Sequence, residues 1–428
     1  MAVFRPQVRP DGHRSPMGTH LFARIGIRRG MSAVLCAAAL GAAAFWLAGP
    51  TDGKSPPSRG ALAAAAGAPI GTPYFRVLYG SAPARANAAR ERDRYSYMVM
   101  HRTDAADVAR LKAQNPSLKV FMYVDMMSAD PNDPTGEADW SSWDDATAHP
   151  DWFLTGPAGE RLVFEDYPSS RVMDVGNPDY QQIGVARVIA DAHAGGFDGI
   201  FLDDANASLR WVIAGGSSQC VKYPTDATWQ AAVYSFFQNV APQLRSAGLL
   251  VVANIGGSTV TKGLWPKWNG PLDGAMEESY TNGGAGRDSV RNGLWPAKFG
   301  HNLWSEKHGK LSLDHAVTRT RSGARYALAT MLLAENGNSA LYASTNYTKE
   351  VWWPEYDLTK RLGKALGPYR VLRNGDYRRD FSRGVVLVNP HANATRAVHL
   401  GSTYIGSGLG RVRTVKLPAT SGVVLLRS

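Results

Sequence analysis

Cysteine is almost absent. Of the two in 428 residues, Cys36 lies in an apolar stretch near the N-terminus and Cys220 stands alone in the rest of the chain. No intramolecular disulfide can then staple the fold, and its stability has to come from a packed core. No histidine lies near Cys220 in sequence, so it reads as an incidental thiol and not as a nucleophile. Also missing are a Gly-x-Ser-x-Gly elbow after a strand, a histidine cluster of zinc type and the Asp-x-Asp spacing of phosphatases. Each absence removes a class of chemistry, and no cofactor or metal is implied.

Acidic residues are scarce at both ends. Residues 1–60 hold eight Lys and Arg against two acids and residues 370–428 hold ten against two, whereas residues 61–369 hold 29 against 32. The net charge of +11 therefore gathers at the termini, and the mildly acidic centre excludes a nucleic-acid groove there. The basic C-terminal end is a solvated face or a contact for an anionic polymer or cell surface.

Long apolar runs are missing too, except for Met31 to Leu47, which follows Arg24, Arg28 and Arg29. Basic residues, an apolar stretch and then small residues form an export signal, or an uncleaved membrane anchor at this length. Cys36 lacks the small residue before it that a lipid anchor needs. Residues 1–50 are thus expected to be a signal or tether, and the remainder secreted or extracellular. Residues 51–71, rich in Ala, Gly, Pro and Ser, read as a linker. The Ala- and Arg-rich composition points to a bacterium of high genomic GC.

What is present is hydrophobic residues at 44%, twelve Trp, and an alternation of short apolar runs with amphipathic stretches. Strands are expected at 75–79, 97–100, 119–124, 199–202, 249–253, 274–276 and 340–342, with helices at 105–114, 180–194, 228–246 and 316–334. Alternation over about 300 residues implies a parallel sheet closed into an α/β barrel, the TIM (β/α)8 barrel, over residues 72–369. After Pro368 the pattern turns to short strands at 384–390, 395–400, 411–418 and 421–428, a small antiparallel, β-sandwich-like domain expected over 370–428. The long stretch 126–171 breaks the alternation and carries Trp140, Trp143, Trp152, Phe153, Phe164 and Tyr167. It forms either a wall of a substrate cleft or a second small core.

Barrel active sites are built where strands end. Asp203 and Asp204 close FDGIFLDDAN, Glu277 and Glu278 lie in LDGAMEESY, Asp125 closes KVFMYVD and Asn254 closes LLVVAN. Four strands thus bring polar groups to one rim, which suits glycosidic bond cleavage by two facing carboxylates. Strand alternation lets only one of two neighbouring acids point at the axis. Capping of the next turn by Asp204 or Asn206 is the plain alternative.

GGFDGIFLDD, VMDVGNPDYQ (172–181) and LDGAMEESY (272–280) resemble the hypothetical glycosyl hydrolase 15 group, TIM-barrel proteins similar to the endo-alpha-1,4-polygalactosaminidase family. The resemblance covers most of residues 72–370. It implies a glycosidase acting on a polysaccharide or oligosaccharide. A strand of similar style in alpha-amylases ends in its nucleophile, a position that falls on Asp203, although Phe201 stands where amylases carry Arg. Related barrels show Asp-Gly-x-x-x-Glu before an aromatic position, which selects Glu278 as acid/base. Asp125, Asp204, Asn254, Glu277 and Tyr280 are then substrate-binding candidates. A carbohydrate is the expected partner of a monomeric chain; the rival reading is a non-catalytic carbohydrate-binding or cell-wall protein that keeps the barrel.

Overall fold

The structure, a computed structural model, describes residues 74–77, 94–283, 287–288, 293–344, 347, 351–406 and 408–428. The expected signal or tether (1–50), the linker (51–71) and residues 78–79 of the first expected strand lie outside the described residues. Among the described residues, no helix is long and apolar enough to cross a membrane.

Eight parallel strands follow one another in sheet order: β1 (Phe75–Val77), β2 (Tyr97–Met100), β3 (Lys119–Asp125), β4 (Gly199–Asn206), β5 (Leu250–Gly256), β6 (Gly274–Glu278), β7 (Leu311–Ala316) and β8 (Ser339–Ala343). A parallel bridge between Tyr74 and Leu341 brings the first strand beside the last. Outside run the helices α1 (Ala105–Gln114), α2 (Pro178–Gly195), α3 (Asp226–Ser246), α4 (Leu264–Asn269), α5 (Trp295–Lys307), α6 (Arg321–Ala334) and α7 (Pro354–Leu362). This is the expected TIM barrel. Its helices start where the sequence supplies caps: Asn177 accepts from the backbone N–H groups of Asp179 and Tyr180 ahead of Pro178, and Thr225 and Thr320 cap α3 and α6.

Side chains of alternate residues fill the barrel. Val99, Phe121, Tyr123, Phe201, Val252, Met276, Leu313 and Tyr342 pack in one interior cluster. The residues two positions further on, Asp125, Asp203, Asn254, Glu278 and His315, therefore form the next ring up, at the C-terminal rim. The opposite parity, including Met122, Leu202, Ala253 and Ala275, packs against the helices.

Six antiparallel strands follow: β9 (Arg370–Val371), β10 (Tyr377–Phe381), β11 (Gly384–Asn389), β12 (Arg396–Gly406), β13 (Leu409–Leu417) and β14 (Ser421–Arg427), in the order β9-β10-β11-β14-β12-β13. Val386, Val388, Val424 and Leu426 belong to the same core as the barrel's helix layer, and Val385, Leu387, Val415 and Leu425 to a separate small one. Gly422 allows the closest approach: a Cβ there would lie 2.5 Å from Cβ of Ala329 on α6. Arg379 seals the junction by donating to the carbonyls of Leu332 (2.9 Å) and Glu335 (2.6 Å) at the C-terminal end of α6.

The aromatic stretch after β3 forms neither a separate small core nor, for most of its rings, a cleft wall, because it joins the core between barrel and helices. Trp140, Trp152, Phe153 and Phe164 are buried, while Tyr167 stays 39% exposed.

Candidate active site

Two local departures from regular strand geometry shape the rim. The pairing of β4 with β5 slips by one residue between Leu202 and Ala205, and Asp204 takes a left-handed backbone, φ 61°. Such a bulge turns a side chain away from simple alternation. Ser279, directly after Glu278, has φ 61° as well. Both front carboxylates are thus followed by a left-handed non-glycine residue, a conformation that costs about 1–3 kcal/mol and concentrates at functional sites.

Asp203 and Glu278 face each other across β5. Nδ2 of Asn254 donates to Oδ1 of Asp203 (2.9 Å) and to Oε2 of Glu278 (3.1 Å). Two oxygens held by the two N–H bonds of one amide lie about 5 Å apart. From the layer below, the Tyr123 hydroxyl donates to Oδ2 of Asp203 at 2.8 Å. Tyr347, beyond β8, donates to Oε1 of Glu278 at 2.5 Å, and its oxygen lies 3.1 Å from Nδ1 of His315.

Burial raises the pKa of Asp203, the charge of Glu278 adds to it, and the hydrogen bonds from Asn254 and Tyr123 oppose it. Burial lifts Asp204 well above the carboxylate range, followed by Asp125, Asp203 and Glu278 as neighbouring charges. Asp125 is pushed up to about 6, mainly by burial, against hydrogen bonds from the Met127 N–H and Ser128. Ser128 Oγ lies 2.7 Å from Asp125 and 2.9 Å from Asp139, whose carboxyl burial also raises far above its ordinary value. The rim is therefore a set of acids that burial and mutual charge push toward the protonated form, the setting in which one carboxyl can act as an acid beside an ionised partner.

Glu277 turns the other way. It meets Lys298 Nζ (3.1 Å) and His301 Nδ1 (2.7 Å) of α5, with His301 stacked on Trp265. Burial alone would raise its pKa, but these two partners hold it below the usual value. Lys298 Nζ also donates to the carbonyls of Glu278 and Ser279 at 3.2 and 2.5 Å, so this buried pair fixes the strained turn from behind. Tyr280 is 1% exposed, and its N–H donates to the His315 carbonyl.

Asp125, Asp203, Asp204, Asn254 and Glu278 are thus brought together; Glu277 lines one cavity with Asp204, Asn254 and Glu278 but is tied to Lys298 and His301, and Tyr280 is built into the wall behind. Tyr123, His315, Lys298 and Tyr347 were not foreseen. Tyr123 shares a face with Asp125 in KVFMYVD, two residues apart, a signal strand parity could have given. Tyr167 reaches the mouth: burial raises its phenol, and Asp204 and Asp203 are the next causes. Among the described residues, no group of three or more His, Cys, Asp and Glu is arranged to hold a metal ion.

A model of hypothetical glycosyl hydrolase family 15 matches residues 112–385, more than half of the chain. No curated protein matches the sequence. Among solved structures, an alpha-amylase from Lactobacillus plantarum is similar at 10% identity and TM-score 0.50, covering 83% of this chain and 99% of that one. GH36 alpha-galactosidase AgaA from Geobacillus stearothermophilus is similar at 14% and 0.47, over 84% of this chain and 56% of its own, so the chain spans about half its length. Ega3 of Aspergillus fumigatus, in complex with galactosamine, is similar at 14% and 0.40, over 67% and 95%. At these identities the amylase likeness is one of fold.

Proposed function

The chain belongs to hypothetical glycosyl hydrolase family 15 and is a glycosidase; from that premise we propose that it cleaves a polysaccharide or oligosaccharide with the carboxylate pair Asp203 and Glu278, with retention of anomeric configuration. The observation that carries this reading is the Asn254 amide held between the two carboxylates. Their spacing of about 5 Å suits a nucleophile touching the anomeric carbon and leaves no room for a water between, which inversion requires at about 6.5–9.5 Å.

In the first step an Asp203 oxygen bonds to the anomeric carbon as the glycosidic C–O bond breaks, and the leaving oxygen takes the proton of Glu278. In the second, Glu278 removes a proton from water, whose oxygen displaces Asp203 from the same carbon. Asn254 and Tyr123 hold the nucleophile's lone pairs in place. Asp125 and Asp204 supply substrate contacts, Tyr167 offers its ring to a sugar face, and Glu277 serves from behind through Lys298. The protein acts as a monomer after export directed by residues 31–47, cut free or tethered by them.

The test is reducing-end release from a panel of bacterial and plant polysaccharides, with Asp203→Asn and Glu278→Gln beside the parent chain. Each substitution is expected to cost about 100-fold or more in kcat without unfolding the protein. Proton NMR of the first product should show the anomer of the substrate. Turnover that survives both substitutions refutes the pair, and an inverted first product refutes retention.

A further inference from the structure

We propose that Tyr347 and His315 form a two-way hydrogen-bond relay that positions Glu278 and serves its carboxyl in both of its protonation states. The inference rests on Glu278 being the acid/base. In a retaining cycle that group must carry a proton in the first step and be ionised in the second. A carboxyl held only by fixed donors is satisfied in the ionised state alone.

Asn254 is a fixed donor at Oε2. Oε1 instead meets the hydroxyl of Tyr347, which also lies 3.1 Å from Nδ1 of His315. A phenol hydroxyl both donates and accepts. With Glu278 ionised, the Tyr347 O–H donates to Oε1. With Glu278 protonated, the carboxyl O–H donates to the phenol oxygen, and the phenol hydrogen swings to Nδ1 of His315, which is bare when the imidazole proton sits on Nε2. Only one proton is exchanged with substrate or water, the one on the carboxyl; the phenol hydrogen merely rotates.

The imidazole suits this part. His315 is 2% exposed and lies against the rings of Tyr342 and Tyr347 at 5.3 and 4.9 Å between centroids. Burial lowers its pKa to about 4, against the main chain at Ser344, so it stays neutral with one bare ring nitrogen across the range where glycosidases work. Among the described residues, the other titratable groups around Glu278 are Asp203 on β4, Asp204 in the bulge, and Lys298 of α5 on its main chain.

The experiment is carboxyl NMR titration of the whole chain labelled with carbon-13 glutamate, the Glu278 signal identified by its loss in Glu278→Gln. Tyr347→Phe removes the donor to the carboxylate and also the acceptor for the protonated carboxyl; the charge-assisted bond is the stronger of the two, so the midpoint should still rise, by about one unit or less. His315→Phe leaves that donor but removes the acceptor needed by the protonated state, and should lower the midpoint. A merely structural pair would not move it in opposite directions. No rise in Tyr347→Phe overturns the proposal, as do shifts of the same sign. Should His315→Phe not fold by circular dichroism, Tyr347→Phe decides alone. The alkaline limb of kcat/KM should follow the midpoint, because it reports loss of the acid's proton. Midpoints that move as expected in a protein whose alkaline limb stays fixed, or which turns over no sugar, leave the relay standing and remove the acid/base assignment.

Discussion

Asp125 sits in register beside Asp203 on the neighbouring strand, and burial pushes its carboxyl up to about 6 from the ordinary 3.8. The folded chain binds that proton more tightly than the unfolded one. The cost to stability is therefore absent below about pH 3.8, grows as pH rises, and is fully present above about pH 6. Asp125→Asn removes the charge and keeps an oxygen to accept the Met127 N–H, which now bonds Oδ1 at 2.9 Å. It is expected to stabilise the protein by about 1–3 kcal/mol at pH 7 and by little at pH 4. Catalysis should fall, as is usual where a crowded site trades stability for function. Thermal melts of both proteins at the two pH values check this, and an equal gain at each would show that the charge was not the cause.

Elements position the carboxylates through contacts with no counterpart in sequence spacing. Strand β6 is set by α5: Lys298 bridges Glu277 and the carbonyls on either side of the left-handed turn after Glu278. Lys298→Met leaves Glu277 buried with only His301 for company and should cost about 3–5 kcal/mol. Adding Glu277→Gln removes the stranded charge and should restore most of that stability, as read by chemical denaturation. The kcat should stay low in the double variant, since no ammonium then holds the Glu278 and Ser279 carbonyls. Recovery of kcat along with stability would refute the positioning role. The same elements mark where sequence reading succeeds and fails. β3, β5 and β6 were legible because unbroken apolar runs end in a polar residue, and so was the rim that they share. β7 was missed because LSLDHA carries Asp314 and His315 in a strand of six, and its buried Asp314 accepts from Asn302 of α5, a tertiary solution invisible to periodicity. The bulge at Asp204 was equally hidden, for strand parity assumes the regular backbone which that residue breaks. Without β7, His315 had no place on the rim.

At the scale of the whole molecule, the change of pattern after Pro368 marks a change of architecture, yet the two parts share apolar surface. The face of the terminal sheet formed by Val386, Val388, Val424 and Leu426 continues the core between barrel and helices. Helix α6, on which it rests, leads from β7 to β8, the two strands whose ends carry His315 and lead to Tyr347. Small interfaces between domains let each part melt alone, whereas an extensive apolar one couples them into a single transition. The whole described fold is therefore expected to unfold in one endotherm. Gly422→Val forces side-chain atoms into the 2.5 Å approach at Ala329, and overpacking of this kind costs about 1–3 kcal/mol. Differential scanning calorimetry should show that single endotherm shifted down by a few degrees. A second, lower endotherm for the sheet alone would show that the barrel stands without it, and that the quadrant holding Glu278, His315 and Tyr347 owes its geometry to the barrel only.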